Sequence, residues 1–280
     1  MVNDQESGEG VLAIATDVAL AVFGARLRAV FALGSLAHGG FSVLASDIDL
    51  ALVVDAVDVD TAELVDEVRR VSIARSPSPL AHRLSIFWSD WAGVRHGPER
   101  HSRLSAVDRL DLLDSGRLLH GSDERAGAVR PDRAVLVAES ARFACTKFGD
   151  SYFAGLHHPN RLVAGGPRVA SKAALFPIRF LYTLATGQVG LNDHAADWYE
   201  EHGAHPVLAR AAMQWREHGI LDAEAATRVL SAHLLGVYDE FFDAYRAELG
   251  DQPTAECLRR TQLALHNSDR SVQNATRQQR

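Results

Sequence analysis

The sequence predicts an α+β protein: strands and amphipathic helices alternate in its first part, and its second part is helical nearly throughout. Three observations carry this expectation. Two apolar runs, Val30 to Leu33 and Leu50 to Val54, are short and end at or follow glycine, serine and aspartate, as strands do. Stretches with helical spacing lie on either side of them. Beyond Pro131 the long apolar stretches keep the helical period and break at glycine, proline or asparagine.

The chain has 280 residues, 47% hydrophobic and 23% charged, enough for two domains with real cores. A formal net charge of -7 argues against nucleic-acid backbone as the main partner, because such proteins carry a strong basic face. Cys145 and Cys257 are far apart and match no metal spacing, so a reducing cytoplasm is the expected setting and no disulfide is implied. Met1 to Glu6 is acidic rather than a charged-then-apolar leader. The apolar stretch from Val11 is interrupted by Asp17, Arg26 and Arg28, so neither a secretion signal nor a membrane span is expected.

Taken in order, Val11 to Arg28 reads as a helix that packs on a sheet. The strand ending at Leu33 hands over to Gly34-Ser35, where glycine lets the backbone approach a ligand closely. Amides at such a bend point at an anion, and the Ser35 hydroxyl adds a donor for phosphate oxygen. After the Gly39-Gly40 turn, Ser46 leads into Asp47-Ile48-Asp49 and the buried strand Leu50 to Val54. Strand side chains alternate, so Asp47 and Asp49 share a face while Ile48 points into the core. Two such carboxylates repel unless a cation sits between them, and hard oxygen ligands suit Mg²⁺ (or Mn²⁺), which shares its remaining positions with substrate phosphates. The pattern therefore asks for a metal nucleotide.

Thr61 to Arg75 reads as a helix stopped by Ser76-Pro77-Ser78-Pro79, followed by a strand from about Arg83 to Trp88 and a helix from His101 to Asp114. Gly121 to Pro131 is rich in glycine and charge and is the expected linker. Helices then follow at Ala134 to Phe148, Val169 to Thr186, Asp193 to His202, Pro206 to His218 and Asp222 to Leu249, which suggests an up-and-down bundle. The expected division is a catalytic domain over 1–125, a helical substrate-binding domain over 126–250, and an extension over 251–280 whose end from about Asn267 has little to bury.

Gly34-Ser35 followed after eleven residues by Asp47-x-Asp49 resembles the signature of the polymerase-β-like nucleotidyltransferase superfamily. The wording GSLAHGGFSVLASDIDLAL looks closest to its aminoglycoside branch, the streptomycin/spectinomycin-type adenylyltransferases. The stretch from Arg179 through Thr186-Gly187 to Ala195-Ala196-Asp197-Trp198 is similar to theirs in the order of its features. The resemblance implies a mixed sheet with flanking helices, closed by a short hairpin at Ser115 to Gly121, with a helical bundle after it. It implies transfer of AMP from ATP to a hydroxyl of a small acceptor of aminoglycoside-like class, bound between the domains. Asp47 and Asp49 would hold Mg²⁺ or Mn²⁺. Gly34, Ser35 and Ser46 would lie with the nucleotide, and Arg179 would reach phosphate, the alternative for it being a surface ion pair; Lys172 reads first as a solvated lysine.

Two positions depart from that pattern. Ser85 stands where the family carries a third carboxylate, which leaves the general-base step in doubt, and Asp90 is the other acid nearby. Asn192 stands where the adenylyltransferases carry a lysine. Two further readings follow: a degenerate member that binds a nucleotide without transferring it, and a transferase acting on tRNA or protein. The acids Asp55, Asp58, Asp60, Glu63, Asp66 and Glu67 read first as a solvated face, His157-His158 and His202-x-x-His205 as ordinary loop or cap residues, and Trp91 and Trp198 as the tryptophans nearest the expected site.

Overall fold

The computed structural model describes residues 4–97 and 101–277. The chain divides after Asp132 into two compact units. The first contains α1 (Asp4–Phe23), β1 (Leu27–Leu33), α2 (Ser35–His38), β2 (Ile48–Val54), α3 (Thr61–Arg75), β3 (Leu84–Asp90), α4 (Trp91–His96), α5 (Ala106–Ser115) and β4 (Arg117–Gly121). The sheet order is β3-β2-β1-β4, with β2 and β3 parallel and the other pairs antiparallel. The sheet is therefore mixed, and α3 lies in the crossover that a parallel pair requires.

Alternation along the strands builds two apolar layers. Val30, Ala32, Ile48, Leu50, Leu52, Leu84 and Ile86 pack against Leu12, Ala15 and Val18 of α1 and Val65 and Val68 of α3. The opposite face offers Ala29, Phe31, Leu33, Ala51 and Val53 to Val94 of α4 and Leu112 of α5. By length and composition Glu6–Arg26 would also pass for a membrane-spanning helix. Here Val11, Leu12, Ala15, Val18 and Ala19 are buried in the sheet's core.

Several expected boundaries move. The first helix ends at Phe23 rather than Arg28, because Gly24 adopts a positive φ of 53° and opens a 3-10 turn, and Leu27 already belongs to β1. The helix expected from His101 starts at Ala106, where Ser105 accepts from the Asp108 amide as its cap. The closing hairpin is instead the single strand β4, which follows α5 and pairs with β1 as an edge of the sheet. Part of the expected linker folds back on the first unit: the Val129 N–H donates to the Arg95 carbonyl, and the Val129 carbonyl accepts from Arg109 Nη1.

Among the described residues the elements of the second unit are all helices: α6 (Arg133–Lys147), α7 (Asp150–Leu156), α8 (Pro159–Ala164), α9 (Pro167–Thr186), α10 (Asn192–His202), α11 (Pro206–His218), α12 (Ala223–Leu249) and α13 (Pro253–Arg277). The short helices α7 and α8 lack the length that makes helical periodicity visible in sequence. Phe148 centres an aromatic cluster with Tyr152, Phe153, Phe176, Tyr238, Phe241 and Phe242. Pro177 sits inside α9 and has no N–H for the Ala173 carbonyl one turn earlier. The Tyr238 hydroxyl donates to that carbonyl at 3.1 Å.

Cys145 of α6 and Cys257 of α13 are joined in a disulfide, with α-carbons 6.2 Å apart. This corrects the expectation of two unlinked thiols, which rested on sequence separation alone, whereas α6 and α13 pack side by side. The backbone of α13 is helical through Arg277, past Asn267, where an unstructured end was expected. Residues 1–3, at the start of the segment read as lacking a leader, and 278–280, at that end, lie outside the described residues.

Candidate functional site

Three strands bring three sequence-predicted positions level. Leu33, the last residue of β1 before Gly34, pairs with Asp49 of β2, and Asp49 pairs with Ser85 of β3. Asp47 and Asp49 are both half-exposed and flank Ile48, which is buried in the α1 layer. Alternation puts Asp49 on the opposite face, the one that α4 and α5 cover.

Gly34 is the pivot of the site. It has φ 59° and ψ -151°, a conformation that disfavours any residue with a β-carbon. A methyl group built there would stand 2.5 Å from Asp49 Oδ2. Its N–H donates to Asp111 Oδ2 at 2.9 Å, and its carbonyl accepts from the Ala37 and His38 amides, starting α2 at Ser35. Gly34 thus lies between two carboxylates, one from β2 and one from α5. Leu36 is buried, and Ser35 is half-exposed beside the bend.

A clamped loop delivers Asp47. The buried Ser46 hydroxyl accepts from the Ser42 N–H at 3.0 Å, and the Ser46 N–H donates to the Ser42 carbonyl at 2.8 Å. Arg83, just before β3, donates from Nη1 to the Val43 and Ser46 carbonyls. Ser46 therefore has its side chain turned into its own loop. Asp90 is not brought to Asp49: it pairs with Val54 at the far end of β2, and its carboxylate accepts from the Gly93 N–H as the cap of α4.

The carboxylates of Asp47 and Asp49 are hard oxygen donors, and Asp49 Oδ2 lies where a side chain at Gly34 would stand. That donor set fits Mg²⁺ or Mn²⁺, which need one or two protein carboxylates beside water and phosphate. Among the described residues no group of three or more His, Cys, Asp or Glu is arranged for a metal. On α5, burial pushes the Asp108 carboxyl above the ordinary aspartate value, the Asp111 charge adds to the rise, and hydrogen bonds from Ser105 oppose it.

The chain is similar to a solved structure over most of its length. That structure is spectinomycin adenyltransferase AAD(9) from Enterococcus faecialis, determined with ATP and spectinomycin; the likeness covers 91% of this chain and 98% of that one, at 13% identity and a TM-score of 0.46. No protein-family model and no curated protein matches the sequence.

In the helical unit, Arg179 and Asn192 flank one turn. Arg179 Nε donates to the Gly190 carbonyl at 2.5 Å, and Asn192 opens α10 two residues later. Other singled-out residues are used in packing or pairing. Asp55 and Asp58 pair with Arg26, and Glu67 pairs with Arg70. The Trp91 ring meets Phe31 edge-on, and Trp198 stacks on His202. His157 bonds the Leu265 carbonyl.

Sequence reasoning missed Asp111. The signal was the run Arg109-Leu110-Asp111-Leu112, in which charged residues sit inside a short apolar helix. Both prove buried, Asp111 at 8% exposure.

Proposed function

We propose that this protein is a metal-dependent nucleotidyltransferase that moves AMP from ATP to a hydroxyl of a small acceptor, aminoglycoside-like in class. The observation that carries the reading is the Asp49 carboxylate set against the α-carbon of Gly34, near the start of a strand that Asp47 immediately precedes. This is the juxtaposition that a metal-triphosphate requires: acids for the cation, and a side-chain-free bend for the phosphates.

In the transfer, the acceptor oxygen bonds the α-phosphorus while the bond to the bridging oxygen breaks, and pyrophosphate leaves with that oxygen. Asp47 and Asp49 would hold the cation, which would supply neutralisation of charge on the phosphates. Gly34 and Ser35 orient the β and γ phosphates, the Ser35 hydroxyl donating to phosphate oxygen. Ser46 acts through the loop it closes, which sets Asp47. In the helical unit Arg179 and Asn192 lie on one turn, and the planar donors of Arg179 are of the kind that suits phosphate oxygen pairs. Ser85 stands level with Asp49 and carries no carboxylate, so the acceptor proton leaves to solvent.

That same serine favours a second reading, a protein that binds the metal nucleotide without transferring it. A thermal-shift screen of the four nucleoside triphosphates, with and without Mg²⁺, tests the shared premise, because a ligand of the folded state raises its apparent stability. Stabilisation by ATP that depends on Mg²⁺ and vanishes in Asp47→Asn and Asp49→Asn supports both readings. No stabilisation by any nucleotide would sink both. Pyrophosphate release across a panel of aminoglycosides and other polyols then separates transferase from binder.

A further inference from the structure

We infer that Asp111 is a positioning residue for nucleotide binding: by accepting the Gly34 N–H, it fixes the bend that presents Ser35 to the triphosphate. The inference rests on the function proposed above and adds a residue from an element that the Gly-Ser and Asp-x-Asp motifs do not include. Glycine has no steric preference strong enough to hold one bend, so Gly34 needs an external constraint. The helix that follows it is four residues long, too short to be stable alone. On its downstream side the Gly34 carbonyl is held by Ala37 and His38; on its upstream side the N–H is held only from outside the motif, at 2.9 Å by Asp111 Oδ2.

The holder is itself fixed. Ser105 caps the first turn of α5, and Leu112 is buried against β1 and β2. Arg109, two residues before Asp111, donates to the carbonyls of Val94 and Val129. Asp111 therefore transmits the position of a packed helix to the backbone of the bend. A carboxylate does this better than a neutral acceptor, since a hydrogen bond with an ionised partner is the stronger kind. A buried acid beside Asp49 raises the local negative charge, a cost accepted at a site that works with a cation.

The test compares Asp111→Ala, Asp111→Asn and Asp111→Glu with the unaltered protein. In ¹⁵N-labelled protein the Gly34 amide should exchange slowly and resonate downfield in the wild type and the Asn variant, whose amide oxygen still accepts. It should lose both properties in the Ala variant. The Ala variant should raise the KM for the nucleotide about tenfold, the size expected for one lost hydrogen bond to a charged group, while kcat stays within about twofold. The Asn variant should restore most of that KM. A purely structural role would lower thermal stability without this division between KM and kcat and without rescue by Asn.

If the Ala variant does not fold, the Glu variant replaces it: its extra methylene displaces the acceptor and should raise KM where Asn does not. Equal KM values in all folded variants would overturn the role of Asp111 while leaving the transferase reading intact. A wild-type protein that binds no nucleotide with Mg²⁺ would overturn both, even with the Gly34 amide protected.

Discussion

Asp49 Oδ2 occupies the space beside the Gly34 α-carbon so closely that a side chain at Gly34 and the present position of that carboxylate exclude each other. Residue choice at one end of β1 thus depends on an acid carried by β2. Gly34→Ala should be penalised twice, by the positive φ of 59° and by the displaced carboxylate. The expected loss is about 1–3 kcal/mol of stability for the strained backbone, read as a lower Tm. Mg²⁺-dependent stabilisation by ATP should disappear even where the variant folds, because Asp49 must turn away from the bend.

Ser85→Glu probes the missing acid. The register places the new carboxylate directly beside Asp49 on the neighbouring parallel strand. Like charges so placed destabilise the metal-free protein, so its Tm should fall, and Mg²⁺ should recover more of it than in the wild type. If proton removal limits the transfer, turnover should also rise. Unchanged turnover would show that a base at this position is not what the reaction waits for.

Asp108→Asn tests the electrostatics of α5. Burial raises the folded-state carboxyl above its ordinary value of 3.8, so the folded protein takes up a proton more readily than the unfolded chain. The native aspartate is therefore unfavourable at neutral pH, and stability is regained as pH falls through the raised folded value towards the ordinary one. The Asn variant should be more stable than wild type at neutral pH in urea unfolding, and the difference should vanish by about pH 3.

The parts of this protein that were legible in its sequence are those written by local chemistry. Thr61–Arg75 and Pro206–His218 carry their own stop and start residues, and their observed bounds are the expected ones. The juxtaposition of Gly34 with Asp49 followed from two strands and a fixed motif spacing. Asp111 did not, because a helix acid is indistinguishable from a solvated one until tertiary packing brings it to a backbone amide far away in the chain. The Cys145–Cys257 link was hidden for the same reason. Asp90 looked like a candidate because it lies close to Ser85 in sequence, whereas a strand of seven residues carries it to the other end of β3, level with Val54.

Tyr238→Phe isolates a single hydroxyl in the helical unit. Its loss leaves the Ala173 carbonyl without the phenol that covers the gap at Pro177, and it removes the partner of the Tyr152 hydroxyl, 2.5 Å away. The expected cost is about 1–3 kcal/mol, the price of a buried polar group left unpaired. Chemical denaturation followed by far-UV circular dichroism would measure it.

Pro177 and Tyr238 are therefore bound to a shared history. An alanine in place of the proline would restore a helix N–H to an oxygen that can accept the phenol as well, whereas a phenylalanine in place of the tyrosine would expose the defect that the proline creates. The order of change therefore matters: the tyrosine hydroxyl is costly to lose while the proline stays, and less so once the proline has gone. Where the proline is kept, the tyrosine should be kept with it.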